Sequence, residues 1–361
     1  MTPSLTIRAG KRALEHIRQN GLQPMDIDII PGAAGGPKGL GIAGLDMAVF
    51  ADWLHKANQR APRTRHLIGA SIGAWRFASV CRGDAAQGLD DFARAYSEQR
   101  YPRKPSRQFV TDYARDMMRG LFAGREREVL ANPHYRLHIL VVRGLGLLKR
   151  ESRIRTPAGF AAAALANAFG RRHLRHFVAR SVFHDTRERP NALNGDSFDA
   201  FHTQSVPLSE ANLGEALRGS GAIPLVLDGV NDIAGAIPGT YWDGGIIDYH
   251  LHLPYNRNAG LVLYPHFTDR IVPGWLDKAL PWRKASGDWL DNVVLLAPSK
   301  DYLATLPHGK LPDRKDFMRF ELDYDARMRY WRKAMAESHR LGDEFLSLVD
   351  SGRIVERLQP L

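Results

Sequence analysis

Short apolar runs that end in glycine-rich turns recur along the chain, and apolar residues at helical spacing follow them. Residues 25–30 alternate polar with apolar and then become apolar, and residues 67–70 are apolar up to a glycine turn. Short apolar runs bounded by glycine are typical of buried strands, whereas apolar residues three or four apart are typical of one buried helix face. The pattern therefore predicts two strand–turn–helix units, and residues 139–142 read as a further strand.

Ser71 stands at the second of these turns, in a Gly-x-Ser-x-Gly motif that begins at Gly69 and ends at Gly73. The two glycines allow so tight a turn that the serine side chain is pushed out at the carboxyl end of the strand. The N-terminus of the following helix then faces any negative charge that develops there. We interpret Ser71 as a nucleophile at a strand-to-helix elbow. In a chain with 33 glycines, a chance match is the alternative for this motif alone.

A glycine-rich loop follows the first predicted strand and reads Gly-Gly-Pro-Lys-Gly from Gly35 to Gly39. Such a loop exposes backbone N–H groups, so it can hold an anion. The loop fits neither a P-loop, because glycine follows Lys38, nor a dinucleotide fingerprint. It fits an oxyanion hole, in which two adjacent glycine N–H groups point at the serine hydroxyl. Lys38 adds a positive charge near the loop, unless it is simply a solvated surface lysine.

A third motif, Asp-Gly-Gly from Asp243 to Gly245, occurs much later in the chain, where two aromatic residues precede the aspartate. Glycines beside a strand end permit a close backbone approach around the carboxylate. Asp-Gly is also common in hairpin turns, so this motif taken alone favours a plain surface turn.

Together, the three motifs resemble the patatin-like phospholipase family and occur in that family's order. In the family, Gly-Gly-x-Arg/Lys-Gly forms the oxyanion hole, Gly-x-Ser-x-Gly carries the nucleophile, and Asp-Gly-Gly/Ala carries the aspartate of a Ser-Asp dyad. The resemblance covers about residues 25–298, and residues 216–224 are similar to the helix-to-proline block before the family's aspartate. The chain departs from the pattern at Ala34, where the family often has glycine, and at Lys38, where it usually has arginine.

The resemblance implies a fold and a mechanism. The fold would be an α/β, three-layer α/β/α sandwich with a central mixed, mainly parallel sheet and a helical C-terminal extension. Ser71 would attack an ester carbonyl with Asp243 as base, and the N–H groups of Gly35, Gly36 and Ile72 would stabilise the oxyanion before an acyl-enzyme forms. The activity would be lipid acyl hydrolysis of the phospholipase A or carboxylesterase type. The supporting motif residues would be Lys38, Gly39, Gly69, Gly73, Gly244 and Gly245.

Two rival functions stay open at this point. A Ser-Asp-His triad of the α/β-hydrolase type shares the elbow and the chain order, and His250, His252 and His266 follow Asp243. We favour the dyad because none of these histidines lies in a glycine-rich late loop. The other rival is a non-catalytic, basic membrane-associated scaffold that keeps the elbow only as structure. Intact motifs at three strand ends argue against it.

Length and spacing predict one large catalytic domain over residues 1–300, with a basic, partly helical cap or insertion at about residues 100–200. Residues 301–361 are expected to form a helical extension packed on the core, in which 306–315 read as a linker and 317–349 as a helix. The sequence lacks an apolar run of roughly eighteen residues, a signal-peptide core and a second cysteine, which favours a cytoplasmic location. We expect no metal and no cofactor, because no ligand spacing stands out.

The formal net charge of +11 comes from residues 100–190, which hold 20 Lys and Arg against seven Asp and Glu. Within them, segment 157–173 is apolar and Ala-rich and then basic, which suits a helix lying on an anionic membrane; a lid over the serine and a buried core helix are the other readings. An aromatic loop at 269–289 could border the substrate entrance or contact a membrane. We expect a lipid or other acyl-ester substrate and no specific nucleic acid, because no reading motif accompanies the charge. The oligomeric state stays open.

Overall fold

A computed structural model describes residues 2–195 and 198–361. Within them the strands are β1 (Leu5–Ala9), β2 (Ile27–Gly32), β3 (Arg65–Ala70), β4 (Tyr135–Gly144), β5 (Val178–His184), β6 (Thr203–Pro207), β7 (Val230–Asn231), β8 (Thr240–Asp243), β9 (Leu261–Pro265), β10 (Val293–Pro298) and β11 (Leu358–Pro360). The α-helices are α1 (Lys11–Asn20), α2 (Ala43–Asp46), α3 (Leu54–Arg60), α4 (Ile72–Val80), α5 (Ala85–Ser97), α6 (Arg107–Phe122), α7 (Glu126–Leu130), α8 (Arg155–Phe169), α9 (Leu213–Gly221), α10 (Lys300–Thr305), α11 (Lys315–Phe320), α12 (Tyr324–Glu337) and α13 (His339–Asp350).

The strands form one mixed, mainly parallel sheet in the order β11-β1-β10-β9-β2-β3-β4-β5-β6, and the β7–β8 hairpin pairs with β4. Strands β10, β9, β2, β3 and β4 are mutually parallel, whereas β1, β5 and β8 run antiparallel to a neighbour. The central strands β3 and β10 are buried along their whole length, as parallel strands covered by helices on both faces are. The predicted α/β fold with a helix-flanked, mainly parallel sheet is confirmed.

The register of four strands brings distant parts of the chain to one edge. Gly32 at the end of β2 pairs with Gly69 of β3. Ala70 pairs with Leu140 of β4, and the next residue of β4, Val141, pairs with Asp243 of β8. Because β2, β3 and β4 are parallel, their carboxyl ends point the same way. The residues that follow β2, β3 and β8 therefore converge at that edge.

The C-terminal part of the chain differs from its prediction. The single helix expected over 317–349 is three helices, α11 to α13. The chain breaks at Glu321, whose φ of 43° is left-handed, and again at Ser338, whose hydroxyl oxygen accepts a 2.7 Å hydrogen bond from the N–H of Gly44. Helix α13 packs on the helix after the glycine-rich loop, with Phe345 edge-to-face on Trp53 at 5.2 Å. Strand β11 extends the sheet beside β1. The domain boundaries stay predictions.

None of the helices in residues 2–195 and 198–361 has the length and apolar character that a bilayer crossing requires.

A buried ion pair joins the helix after the glycine-rich loop to the helix after Ser71. Arg76 on α4 donates two hydrogen bonds to the Asp46 carboxylate on α2, at 2.7 and 2.6 Å. The side chains are 3% and 2% exposed, and burial raises the pKa of Asp46 against the opposing effect of Arg76. A charge so deeply buried is stable only with its partner. The pair therefore fixes the two helices that begin at the edge described above.

We predict that Arg76→Met lowers the free energy of unfolding by about 3–5 kcal/mol, because the Asp46 carboxylate stays buried without its partner. Urea unfolding followed by circular dichroism measures this. The control is Lys56→Met, which removes an exposed pair with Asp52 and should cost less than about 1 kcal/mol. Equal losses in the two variants would contradict this role of the buried pair.

Candidate active site

The turn at Ser71 is a strained strand-to-helix elbow. Ser71 follows β3 with φ of 54° and ψ of −128°, a conformation that costs a non-glycine residue free energy and occurs mostly at functional sites. Both flanking positions require glycine, because neighbouring backbone atoms lie too close to leave room for a side chain. A Cβ on Gly73 would overlap the carbonyl oxygen of Gly32, and one on Gly69 would lie 2.5 Å from the backbone of Ala74. Strand β2 thus packs directly against the elbow.

Ser71 and Asp243 are in hydrogen-bond contact although 172 residues separate them in the chain. The Ser71 hydroxyl donates to one carboxylate oxygen of Asp243 at 2.7 Å, and the N–H of Gly245 donates to the other at 2.8 Å. The two residues are 4% and 5% exposed. Both carboxylate oxygens therefore have a fixed partner, and one of them faces the serine.

Burial raises the pKa of Asp243 above its ordinary value, while the positive charge of Arg314 and the hydrogen bonds from Ser71 and Gly245 act in the opposite direction. A carboxylate with a raised pKa is a better proton acceptor than a solvated one. The pair has the geometry and the electrostatics of a hydroxyl beside a general base.

Ser220 supports the elbow from α9. Its hydroxyl oxygen accepts a hydrogen bond from the Ser71 N–H at 2.8 Å, and its own hydroxyl donates to the carbonyl of Leu140 at 2.7 Å. The Ser71 backbone is thereby joined to β4. Sequence reasoning noted the block around Ser220 only as part of a resemblance and assigned this side chain no role, because its contacts depend on the packing of α9.

The glycine-rich loop packs against the elbow and against the Asp-Gly-Gly turn. Gly36 has φ of 57°, which favours glycine, and the loop is held by a hydrogen bond from the Ala34 N–H to the carbonyl of Tyr249 at 2.9 Å. No acceptor for the N–H groups of Gly35, Gly36 or Ile72 is found among the residues that the structure describes. Their role as an oxyanion hole stays a prediction.

The supporting motif glycines occupy crowded positions around this loop. A Cβ on Gly39 would lie 3.1 Å from the Ile72 side chain, and one on Gly245 would lie 2.7 Å from Ala34. A Cβ on Gly244 would overlap the carbonyl oxygen of Leu140. The close packing allows the loop, the elbow and the Asp-Gly-Gly turn to approach one another.

Two cavities meet at the Ser71–Asp243 pair. The polar cavity, of about 420 Å³, is lined by Ala34, Gly35, Lys38, Ile223, Asp243, Gly245, Tyr249, Trp275, Lys278, Asp313, Arg314 and Lys315. The apolar cavity, of about 380 Å³, is lined by Gly36, Ser71, Ile72, Trp75, Tyr96, Gln99, Tyr101, Pro105, Val110, Ala114, Met117, Gly221, Ile223, Val226, Leu227, Arg314, Phe317 and Met318. Ile223 and Arg314 line both cavities, so the two form one cleft with an apolar and a polar half.

Comparison with known proteins identifies the family of the chain. A model of the patatin-like phospholipase family matches residues 35–250, which is more than half of the chain. The chain belongs to the patatin-like phospholipase family. Membership supports lipid acyl hydrolase activity in general terms. No curated protein matches the sequence.

The match begins in the glycine-rich loop and ends after the Asp-Gly-Gly turn, so it contains all three motifs. Parts of the cleft of this patatin-like protein lie outside it. Arg314 and Lys315 come from the stretch that the sequence analysis read as a linker, and that interpretation missed their position in the cleft. Lys278 and Trp275 come from the aromatic loop, which therefore borders the cleft. No local motif marks these residues, since isolated charges beside prolines are also common in linkers.

The three histidines considered for a triad form hydrogen bonds with backbone groups away from the Ser71–Asp243 pair. His250 and His266 accept at Nδ1 from the N–H groups of Val272 and Thr268, each at 3.0 Å, and His252 contacts the carbonyl of Ser286 at 3.0 Å. Within the described residues, none of the three is hydrogen-bonded to the serine or the aspartate. Burial lowers the pKa of each, to about 3 for His266, and favours neutral imidazoles.

Proposed function

We propose that the protein is a lipid acyl hydrolase in which Ser71 is the nucleophile and Asp243 the general base. The observation that carries the proposal is the 2.7 Å hydrogen bond from the Ser71 hydroxyl to a buried carboxylate, at an elbow beside unengaged N–H groups. Family membership supports the same class of reaction. The proposal leaves open whether the substrate is cleaved as by a phospholipase A or as by a broader carboxylesterase.

The reaction proceeds in two halves. In the first, the proton of Ser71 moves to Asp243 as Oγ bonds to the ester carbonyl carbon, and the N–H groups of Gly35, Gly36 and Ile72 stabilise the oxyanion. The alcohol leaves with the proton from Asp243, and the acyl group stays on Ser71. In the second, Asp243 accepts a proton from water, whose oxygen attacks the acyl-enzyme. The fatty acid leaves, and the proton returns to Ser71.

The acyl chain is assigned to the apolar half of the cleft. Its wall comes from α4, α5, α6, α9 and α11 and from the segments after α5 and α9, and it is mostly aromatic and aliphatic around Trp75, Tyr101 and Phe317. Burial of each methylene contributes about 0.8 kcal/mol, so a chain in this cavity gains affinity with length. Ser71 lines the same cavity, which leaves the ester carbonyl at the junction of the two halves.

We predict that a fluorophosphonate forms one adduct, on Ser71, and that mass spectrometry of the digested protein finds none in Ser71→Ala. Asp243→Asn should lower ester turnover by about 10²–10⁴, because the base is lost while the shape is kept. Ser351→Ala, at an exposed serine, is the control and should label and turn over as the parent does.

The same assay discriminates the dyad from the triad. His250→Gln, His252→Gln and His266→Gln, tested singly with circular dichroism to verify folding, should each retain most of the turnover. A folded variant among them that loses activity as Asp243→Asn does would replace the dyad by a triad. An adduct at another residue, with none at Ser71, would contradict the assignment of Ser71 as the nucleophile.

We predict an acid limb in the pH profile of kcat/KM whose midpoint lies above about pH 4, the ordinary value for aspartate. Only ionised Asp243 accepts the proton of Ser71, and burial raises its pKa, so the inactive protonated form persists to higher pH than for a solvated aspartate. A neutral soluble ester, with circular dichroism at each pH, gives the profile. A midpoint at or below pH 4 in folded protein would contradict a buried base.

We also propose peripheral contact with an anionic membrane through α8. The two uncharged polar residues of this helix point inward: Thr156 accepts from the Ser152 N–H, and Asn167 donates to Asp277. Its outer side is apolar, and Leu165 and Phe169 are 63% and 82% exposed. An apolar stripe of this kind suits the boundary between head groups and acyl chains.

Charge at both ends of α8 complements an anionic surface. Arg153 and Arg155 are exposed at its beginning, and Arg172 and Arg175 are exposed after its end. None of the four forms an ion pair with another residue in the described ranges. Each basic residue near an anionic surface contributes about 1 kcal/mol of attraction. The helix packs through Phe160 on the neighbour of Asp243, Trp242, so a docked surface would lie near the cleft.

We predict that Leu165→Glu combined with Phe169→Glu weakens sedimentation with phosphatidylglycerol vesicles by roughly tenfold or more, because two apolar side chains no longer enter the lipid. Met25→Glu is the control, since Met25 is 43% exposed but precedes β2 at the opposite edge of the sheet. Unchanged vesicle binding would exclude α8 as the membrane contact. If the double substitution instead converts a dimer to a monomer, the apolar side of α8 contacts a second copy of the chain. The cytoplasmic location stays a prediction.

A further inference from the structure

The polar half of the cleft is strongly basic. Lys38 comes from the glycine-rich loop, Lys278 from the turn Trp275–Ala279, and Arg314 and Lys315 from the start of α11. Among the residues that the structure describes, none of these four cations pairs with a carboxylate. Positive charge from three separate segments therefore converges on one cavity, where none of the four cations is held in a direct ion pair.

The two carboxylates that line this cavity are already engaged. Asp243 accepts the hydrogen bond from Ser71, and Asp313 pairs with Lys310 at 2.9 Å and accepts from the Lys315 N–H at 2.8 Å. Asp313 thus has a lysine partner outside the cavity lining. The cavity keeps a net positive charge beside the nucleophile.

The cations also repel one another. Burial is the main cause of the lowered pKa of Lys38 and of Lys278. The negative charge of Asp313 opposes the shift of both lysines, and the positive charge of Arg314 adds to it. A bound anion would reverse this effect, because it favours the charged form of each lysine. Phosphate oxygens, like carboxylate oxygens, accept strong charge-assisted hydrogen bonds from arginine and lysine.

Arg314 connects this charge to the site of reaction. It lines both halves of the cleft, and a Cβ on Gly36 would lie only 3.0 Å from its Nε. A substrate with its acyl chain in the apolar half and its carbonyl at Ser71 directs its leaving alcohol into the polar half. A phosphate on that alcohol then lies among the cations.

The aromatic rings of the polar half do not favour a quaternary ammonium group. The ammonium of Lys278 lies 5.1 Å from the ring centre of Tyr249, and that of Lys38 lies 5.2 Å from the ring centre of Phe267. A protein cation thus already covers the ring of Tyr249, which lines the cavity and which a choline head group would otherwise contact. A head group that adds a positive charge would meet repulsion from the same lysines.

We propose that Lys38, Lys278, Arg314 and Lys315 bind the phosphate of a lipid head group with net negative charge, and that the cleft selects such lipids over zwitterionic and neutral ones. The proposal rests on the proposed function, because it takes the acyl chain and the ester to lie at Ser71. It specifies the class of alcohol that leaves.

Binding to Ser71→Ala tests this selection without turnover. Isothermal titration would compare lysophosphatidylglycerol with lysophosphatidylcholine, both with a decanoyl chain and below their micelle concentrations. We expect the anionic lipid to bind at least about tenfold more tightly and the difference to shrink as salt is raised. Equal affinity for the two lipids would overturn the proposal even if Ser71 labels with a fluorophosphonate. If Ser71 is not labelled by the fluorophosphonate but the preference for the anionic lipid is found, only the proposed nucleophile is contradicted and the head-group proposal stands.

Variants at the rim assign the selectivity to these side chains. Lys278→Gln combined with Lys315→Gln should reduce the affinity ratio of the two lipids by about tenfold. Lys284→Gln, at an exposed lysine outside the cavity lining, is the matched control and should keep the ratio. A ratio unchanged in the double variant would overturn the assignment.

Inorganic phosphate separates a lipid head group from free phosphate as the ligand. If the site takes the head group, phosphate should compete with lysophosphatidylglycerol only weakly, because it lacks the acyl chain. Phosphate that competes as strongly as the lipid itself, with no preference between the two lipids, would make the cavity a free-phosphate site and overturn the proposal.

Discussion

The hydrogen bond between Ser71 and Asp243 depends on the register of the sheet. Asp243 lies on a strand that is antiparallel to β4, and Ser71 follows a strand that is parallel to it, so each position is fixed against the same short stretch of β4. A shift of one residue in either pairing would turn the side chain to the opposite face of the sheet. The contact between two side chains 172 residues apart is thus a property of three paired strands.

The strained backbone of Ser71 persists because its surroundings leave little freedom. Gly73 lies so close to β2 that only glycine fits, Ser220 binds the Ser71 N–H, and the Arg76–Asp46 pair holds the helices on both sides. Strain at such a site is stable only when the structure around it is over-determined. Close packing and hydrogen bonds therefore join the elbow, the glycine-rich loop and the carboxylate, whereas segments outside these motifs supply much of the cleft wall. One half of the cleft is apolar and one is basic, and this division gives the proposed preference for anionic lipids.

The sequence was most informative where functional residues lie within short continuous motifs. Three short motifs contain Ser71, Asp243 and the loop at Gly35. Close backbone approach requires glycine at fixed positions in these motifs, so they can be recognised from residue type and order alone. The α/β sheet and the family followed from the same motifs and are confirmed. Arg314 could not be found in this way, because its proximity to Gly36 depends on how the C-terminal segment folds over the sheet. The break at Ser338 was missed for the same reason, since its hydrogen bond with Gly44 depends on tertiary packing that the continuous helical pattern does not show.

The most direct test of the account is a crystal structure of the full chain inactivated with an alkyl fluorophosphonate. We expect phosphorus bonded to Ser71 Oγ, the alkyl chain in the apolar half, and the phosphonyl oxygen about 2.7–3.1 Å from N–H groups of Gly35, Gly36 or Ile72. Asp243 should stay beside the modified oxygen. An adduct whose phosphonyl oxygen points away from these donors would contradict the proposed oxyanion hole. A histidine, rather than Asp243, hydrogen-bonded to the modified Oγ would contradict the dyad.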